Sequence, residues 1–382
     1  MSISRRTLLR RLGAGAAAAV TAPHIRVDAL GAMRDGPLRE TSRAGESIRL
    51  SRNENAYGPS ATVMAVIRDT ALTATSRYPE VEAEALQRKI AGLHRVSPEH
   101  VVLGCGSSEI LRMAIAAFVG PHRKLIAALP TFESIGGWAQ RAGATVVGVP
   151  VNRDYTHDLN GMLARIDAET RLVYICNPHN PTGRVTRRQD LEAFLRKLPA
   201  TMVVLMDEAY HHYVGESSDY ASFIDRPVDD SRVIATRSFS KIYGLAGLRV
   251  GYAIAAPQTA RVLASPKLSD GVNVVAARAA AAALDDTEHL RTSINRNTDD
   301  RQEFFNQATA RMIRPDSLTN FVMLETGRRA VEVVEHFQKH GILVSGPVPG
   351  FDQDIRVSLG IPAEMREFWR VWDLMPGHKM AM

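Results

Sequence analysis

The spacing of apolar positions changes several times along this chain. Over residues 60–74, Val63, Met64, Ile67 and Ala71 recur at helical intervals behind Gly58-Pro59, and Arg77-Tyr78-Pro79 ends the helix they predict. Residues 82–93 predict a second helix. Short apolar runs then alternate with helical stretches: 101–103, 125–129, 145–151, 172–176, 202–206, 233–236 and 248–254 read as strands. Several of these are apolar at every position, as strands covered on both faces are. The turn Gly104-Cys105-Gly106-Ser107-Ser108-Glu109 leads into a helix ending near Phe118, and Thr186-Arg187-Arg188-Gln189 reads as a capping box for a helix ending near Leu195. This alternation predicts an open α/β sheet. Beyond about Ser265 the pattern shifts to an alanine-rich helix over 274–284 and to strands near 321–324, 342–344 and 355–359, a smaller α+β domain. The expected division is a leader over 1–32, an arm over 46–75 that joins the small domain, a large domain over 76–265 and a small domain over 266–382.

Charge adds little beyond the leader. The formal net charge is +6, and residues 1–45 hold eight arginines against three acids, so five of those charges sit there. The remainder is close to neutral and gives no electrostatic case for nucleic acid. Ser4-Arg5-Arg6-Thr7-Leu8-Leu9-Arg10 resembles a twin-arginine export signature, and the weakly apolar stretch over 12–22 is shorter than the about 20 residues a membrane span requires. The expectation is an exported, periplasmic protein, cytoplasmic where the leader does not function. No later segment suits a membrane span. The two cysteines, Cys105 and Cys176, have no metal-ligand or redox spacing and read as small core residues. His211 and His212 are adjacent and share no helix face, so they do not read as a metal pair.

The chemistry gathers at Lys241. It stands in Ser238-Phe239-Ser240-Lys241, eight residues ahead of Arg249, on a glycine-punctuated loop. The serine hydroxyls and the guanidinium suit phosphate oxygens. Gly106-Ser107-Ser108, at a helix start, offers backbone N–H groups and the positive end of a helix dipole to the same anion. Asp207 ends an apolar strand run, where open α/β sheets place their ligands, and a carboxylate there calls for a cationic partner.

With Asn180-Pro181-Thr182-Gly183 and Asp207-Glu208-Ala209-Tyr210, these runs resemble the class I/II aminotransferases of pyridoxal-phosphate fold type I, and within them the histidinol-phosphate aminotransferases. The likeness extends over about residues 51–360. It implies an α/β fold with a large, mostly parallel mixed sheet flanked by helices and a small α+β domain. It also implies pyridoxal 5'-phosphate as cofactor, bound as an imine to Lys241, which then shuttles the substrate α-proton. By the same likeness Asp207 faces the pyridine nitrogen, Asn180 and Tyr210 face the phenolic oxygen, and Phe132 stacks on the ring. Gly106, Ser107, Ser108, Ser238, Ser240 and Arg249 hold the phosphate. Tyr57, in Asn53-Glu54-Asn55-Ala56-Tyr57-Gly58-Pro59, reaches the cofactor of a neighbouring subunit, so a homodimer is implied. Arg356 grips an anionic group of the substrate. The implied reaction moves an amino group from a small-molecule amino donor to a 2-oxo acid; a decarboxylase, racemase or lyase could use the same residues. Two departures bear on the substrate. Ser345 stands where the family commonly has an arginine, and a second family arginine on the last helix has no clean match, Arg366 being one place off beside Glu367.

Overall fold

Strands apolar on both faces require two covering layers. The computed structural model describes residues 47–215, 217–224, 230–311 and 316–375; the leader predicted over 1–32 lies outside them. The main sheet comprises β2 (Val101–Gly104), β3 (Lys124–Leu129), β4 (Thr145–Pro150), β5 (Thr170–Cys176), β6 (Val203–Asp207), β7 (Val233–Ser238) and β8 (Gly251–Ala255). Its order is β2-β8-β7-β6-β5-β3-β4, and every pair is parallel except the two made by β8. Along β5, Val173 and Ile175 join one core with Ile126, Val204 and Val233, while Leu172, Tyr174 and Cys176 join the other with Leu125, Leu205 and Ile234. This is the period-2 alternation of a strand with both faces buried.

The first core is closed by α1 (Ala61–Thr73), α2 (Glu80–His94), α5 (Leu159–Leu163), α6 (Arg188–Lys197) and α8 (Val274–Asp285). The second is closed by α3 (Ser107–Phe118), α4 (Glu133–Arg141) and α7 (Pro257–Ala264). Ala276, Ala277, Ala279 and Ala280 are fully buried, so α8 lies close against α1 and α2. Ser60 caps α1 by accepting from the Val63 N–H at 3.1 Å.

A third core belongs to α9 (Thr287–Thr309), α10 (Ala330–Lys339), α11 (Pro362–Asp373) and two small sheets. In one, β1 (Ile48–Leu50) runs parallel to β10 (Ile342–Val344); in the other, β9 (Phe321–Glu325) is antiparallel to β11 (Asp354–Ser358). Phe337 and Phe368 stack at 4.7 Å with 3° between their planes. Truncating either to alanine in such a core costs about 3–5 kcal/mol.

Two local expectations are corrected. Thr186 caps no helix: its hydroxyl pairs with His157 Nδ1 at 2.7 Å, and α6 starts at Arg188 behind Arg187 with no side-chain cap. The strand expected over 248–254 begins only at Gly251, because residues 246–248 form a turn and Arg249 takes φ 58°. That left-handed residue turns the chain between the lysine loop and β8. Of the cysteines, Cys176 is buried and Cys105 half-buried.

Candidate active site

Parallel strands present their carboxyl ends along one edge, and the loops leaving β2, β3, β5, β6 and β7 converge there on a cavity of about 830 Å³. The loop after β2 supplies Ser107 and Ser108, that after β3 Phe132, that after β5 Asn180, β6 itself Asp207, and β7 with its loop Ser238, Ser240 and Lys241. The small sheets contribute Val344, Ser345 and Arg356, and the segment after β1 contributes Ser51, Arg52, Asn53 and Glu54.

Asp207 is buried. The Tyr174 hydroxyl donates to its Oδ2 at 2.8 Å, and the Ala209 N–H and Thr236 hydroxyl donate to Oδ1 at 3.1 and 3.3 Å. Burial nonetheless pushes its carboxyl above the usual range, against the pull of those donors. No ion pair with Asp207 occurs among the described residues. Lys241 lies half-buried and donates to the Arg52 carbonyl at 2.9 Å, with its Nζ 5.6 Å from the Tyr210 ring centre. Burial first, then the Arg356 charge, bring its amine down to about 8. A lysine so placed is a far better nucleophile near neutral pH than a solvated one.

One end of the cavity is shaped for an anion. Gly106 caps α3 with φ 75° and ψ 162°, a conformation essentially confined to glycine, and a Cβ there would overlap the Arg249 guanidinium. The N–H groups of Ser107 and Ser108 in the first turn have no partner within the helix. Arg249 Nη1 donates to Ser240 Oγ at 3.1 Å and to the Ala246 carbonyl at 2.9 Å, and the Ser240 N–H donates to Ser238 Oγ at 3.1 Å.

At the other end stands Arg356. Its Nη1 donates to Asn180 Oδ1 at 2.6 Å and its Nη2 to the Ser51 carbonyl at 2.7 Å, while Nε is buried with no hydrogen-bond partner among the described residues. Ser345 is bridged to Arg356 through the backbone, N to O at 3.0 and 2.6 Å. Residues paired across an antiparallel bridge project to one face, so a hydroxyl flanks the guanidinium. Asn180, buried, keeps its amide N–H groups for the cavity because Arg356 occupies its oxygen. The Tyr210 hydroxyl accepts from Asn53 Nδ2 at 3.0 Å, and its ring meets Phe321 edge-on at 4.9 Å.

The family described as Aminotransferase class I and II matches residues 46–370. The chain belongs to the class I and II aminotransferases. The histidinol-phosphate aminotransferase of Shouchella clausii is 36% identical over 324 residues, 84% of this chain and 87% of that protein. Histidinol-phosphate aminotransferase 2 of Ralstonia nicotianae is 37% identical over 343 residues, 86% of this chain and 90% of that protein. The crystal structure of histidinol-phosphate aminotransferase from Sinorhizobium meliloti in complex with pyridoxal-5'-phosphate superimposes with a TM-score of 0.80 at 30% identity, over 85% of this chain and 90% of that one. Aspartate aminotransferase from Thermus thermophilus with maleate, at 22% identity and a TM-score of 0.74, shares the fold.

This aminotransferase depends on pyridoxal phosphate, and its cavity fits that group on observations of its own. A buried carboxyl without an ion pair suits a ring nitrogen that can carry a proton. The glycine-opened helix start, with Ser238, Ser240 and Arg249, suits the phosphate, and a low-pKa amine suits the aldehyde. Phe132 lines the cavity with its ring 6.2 Å from Trp138, edge-on. Tyr57 does not line the cavity of its own chain. Its hydroxyl donates to Asp300 at 2.9 Å, and burial followed by the Asp300 charge pushes its pKa up.

The cavity also rests on groups that the sequence reading missed. Tyr174 reads as one more core residue of β5; register pairs it with Leu205 and Asp207 with Cys176, and only its hydroxyl, reaching along the same sheet face, meets the Asp207 carboxyl. Asn53 supports Tyr210, and the carbonyls of Ser51 and Arg52 hold Arg356 and Lys241; no side-chain pattern marks a carbonyl. His179 is fully buried, with Nδ1 paired with the Thr182 hydroxyl at 2.9 Å.

Proposed function

We propose that this aminotransferase moves an amino group between an amino acid or related amine and a 2-oxo acid, with each residue of the cavity in the following role. Lys241 would hold the cofactor covalently, and its Nζ would take the proton from the substrate α-carbon and return it later. Bound pyridoxal phosphate supplies the electron sink that makes that proton removable. Asp207, held by Tyr174, Ala209 and Thr236, keeps a proton on the ring nitrogen. Asn180 and Tyr210 donate toward the phenolic oxygen, and Arg356 orients the substrate through its anionic group. The observation that carries this reading is one cavity holding a low-pKa lysine, a buried carboxyl without an ion pair, and an anion seat at the opposite end from Arg356. The purified protein given pyridoxal phosphate is expected to turn yellow and to exchange amino groups between an amino acid and a 2-oxo acid. Borohydride is expected to fix the cofactor on Lys241. Lys241→Ala should lower turnover by at least about 10³-fold, the scale of acid–base and covalent catalysis combined, with cofactor still bound. Wild-type turnover in that variant removes the assignment.

A second reading names histidinol phosphate as the amino donor. The names of the relatives from Shouchella clausii and Ralstonia nicotianae favour it. The hydroxyl of Ser345 beside Arg356, where a second cation would serve a phosphate ester, speaks against it. A donor panel that includes histidinol phosphate separates the two.

The chain is further proposed to act as a homodimer in which Tyr57 serves the neighbouring cavity. Its place outside its own cavity supports this, as does the exposure of Leu72, Tyr78 and Val81 around the start of α2. Sedimentation at micromolar concentration tests the dimer. Mixing Tyr57→Phe with Lys241→Ala subunits tests the sharing, since only shared sites give a hybrid with one intact cavity. The leader is proposed as a twin-arginine export signal on the strength of Ser4 to Arg10. Amino-terminal sequencing of protein recovered from the periplasm tests it, and an intact Met1 there or retention in the cytosol removes it.

A further inference from the structure

The two residues next in sequence to cavity members on β6 and β7 form a buried ion pair that does not line the cavity. Asp207 ends β6 and is followed by Glu208; Ser238 ends β7 and is preceded by Arg237. Arg237 Nε donates to Glu208 Oε2 at 2.9 Å, with the two side chains 4% and 1% exposed. Ser222 closes the triangle: Arg237 Nη2 donates to its Oγ at 2.6 Å, and that Oγ donates to Glu208 Oε2 at 2.5 Å. The other carboxylate oxygen, Oε1, accepts from the Phe223 N–H at 2.7 Å, and the Ile224 N–H donates to Ser222 Oγ at 2.8 Å. The backbone adds Glu208 N–H to the Thr236 carbonyl at 3.0 Å. All three side chains are buried, and none touches the cavity.

Stability alone is a poor reason for such a cluster. A buried ion pair commonly contributes no more than apolar residues of the same volume, whereas deleting one partner strands a buried charge. Its placement is the informative feature. It joins the carboxyl ends of two adjacent strands, at the point where they release Asp207 and Ser238, to the loop at 222–224. The Asp207–Thr236 register pair lies between these contacts. The geometry points to Glu208, Arg237 and Ser222 as a positioning clamp that sets the separation between the carboxyl beneath the cofactor ring and the serine at its phosphate end. Alternation sends the Asp207 side chain toward the cavity and the Glu208 side chain away from it, so the clamp acts through backbone position and touches no reacting atom. Misplacement of a reacting group by about 1 Å costs on the order of 10²-fold in rate.

A double-mutant cycle on the cofactor-loaded, full-length protein tests the clamp, using Glu208→Gln, Arg237→Met and both together. Four quantities are read: melting temperature, the pyridoxal phosphate dissociation constant, kcat against KM, and the pH midpoint of the bound cofactor's visible absorbance. Each single variant is expected to lose about 10²-fold in kcat with KM within about threefold, and to shift the absorbance midpoint, since Asp207 is displaced. The double variant is expected to recover melting temperature, because no charge is left stranded, without recovering kcat or the midpoint. A double variant whose kcat and midpoint both return to wild type along with its melting temperature reduces the cluster to a structural pair and overturns the proposal. Where the single variants do not fold, Ser222→Ala takes their place: a reduced kcat with a moved midpoint supports the clamp, and wild-type values for both overturn it.

Discussion

The two ends of the cavity are built in opposite ways. The phosphate end is short-range: Gly106, Ser107 and Ser108 are consecutive, and Ser238, Ser240 and Arg249 fall within twelve residues. Its donors are backbone N–H groups and short hydroxyls with few conformations to lose, around an Arg249 already held by Ser240 and Ala246. The substrate end is long-range. Arg356 is positioned by Ser51 and Asn180, which lie 305 and 176 residues away, and Tyr210 by Asn53, 157 residues away. A site of the first kind follows from a local motif. One of the second kind exists only once three layers have assembled, and its side chains can be exchanged without disturbing a turn. The contrast places cofactor binding in the part of the molecule that the backbone dictates, and substrate choice in the part that packing dictates.

Disturbing each end should therefore give a different signature. Arg356→Ala, the largest effect expected at either end, should lower kcat/KM by about 10²–10³-fold, mostly through KM, with cofactor affinity within about threefold of wild type. Substrate-saturation curves on the loaded enzyme measure this, and a lost cofactor instead of a raised KM would erase the division between the ends. Gly106→Ala should do the reverse. It combines the strain of a glycine-only conformation with the displacement of Arg249, and cofactor affinity should fall by about 10²-fold. Fluorescence titration of the apoprotein reads it directly. A third test concerns pH. The Lys241 amine is brought down from its ordinary range to about 8, so the neutral, attacking form dominates above about 8. The rate at which apoprotein takes up pyridoxal phosphate should rise about tenfold per pH unit below that point and level off above it. A rate still climbing at about pH 10 would show a lysine with an ordinary pKa. The smallest effect is expected for Tyr174→Phe. It removes one donor to Asp207, which should slow α-proton removal by about tenfold and leave the affinities at both ends unchanged; isotope-sensitive single-turnover kinetics checks it.

The same division explains what the sequence disclosed. The seven sheet strands were legible as apolar runs, and Lys241, Asp207, Gly106 and Arg249 as local motifs at strand ends or helix starts, because short-range geometry needs particular residue types. The start of β8 was misjudged because Leu248 is as apolar as a strand residue, while the left-handed turn at Arg249 leaves no mark on a hydropathy pattern. The capping box failed because Thr186 found a better partner in His157, 29 residues earlier. Tyr174 and the Glu208–Arg237–Ser222 triangle were invisible for a related reason. Their contacts are set by which strands lie side by side, and no single segment carries that order.

The segment after β1 runs between both halves of the site. It carries the carbonyls that hold Arg356 and Lys241, Asn53 N–H donates to Ser358 Oγ at 2.7 Å, and Asn55 Nδ2 donates to the Ile242 carbonyl at 2.8 Å. Gly244, at φ 70°, has no side chain because the backbone of Gly58 and Pro59 lies against it. All of this is anchored by three residues, Ile48 to Leu50, zipped to Ile342 to Val344. Proteolysis from the amino terminus would therefore meet a fixed limit. A cut ahead of Ile48 leaves the strand intact, whereas one only a few residues further on would untie the lysine's backbone acceptor and the arginine's together.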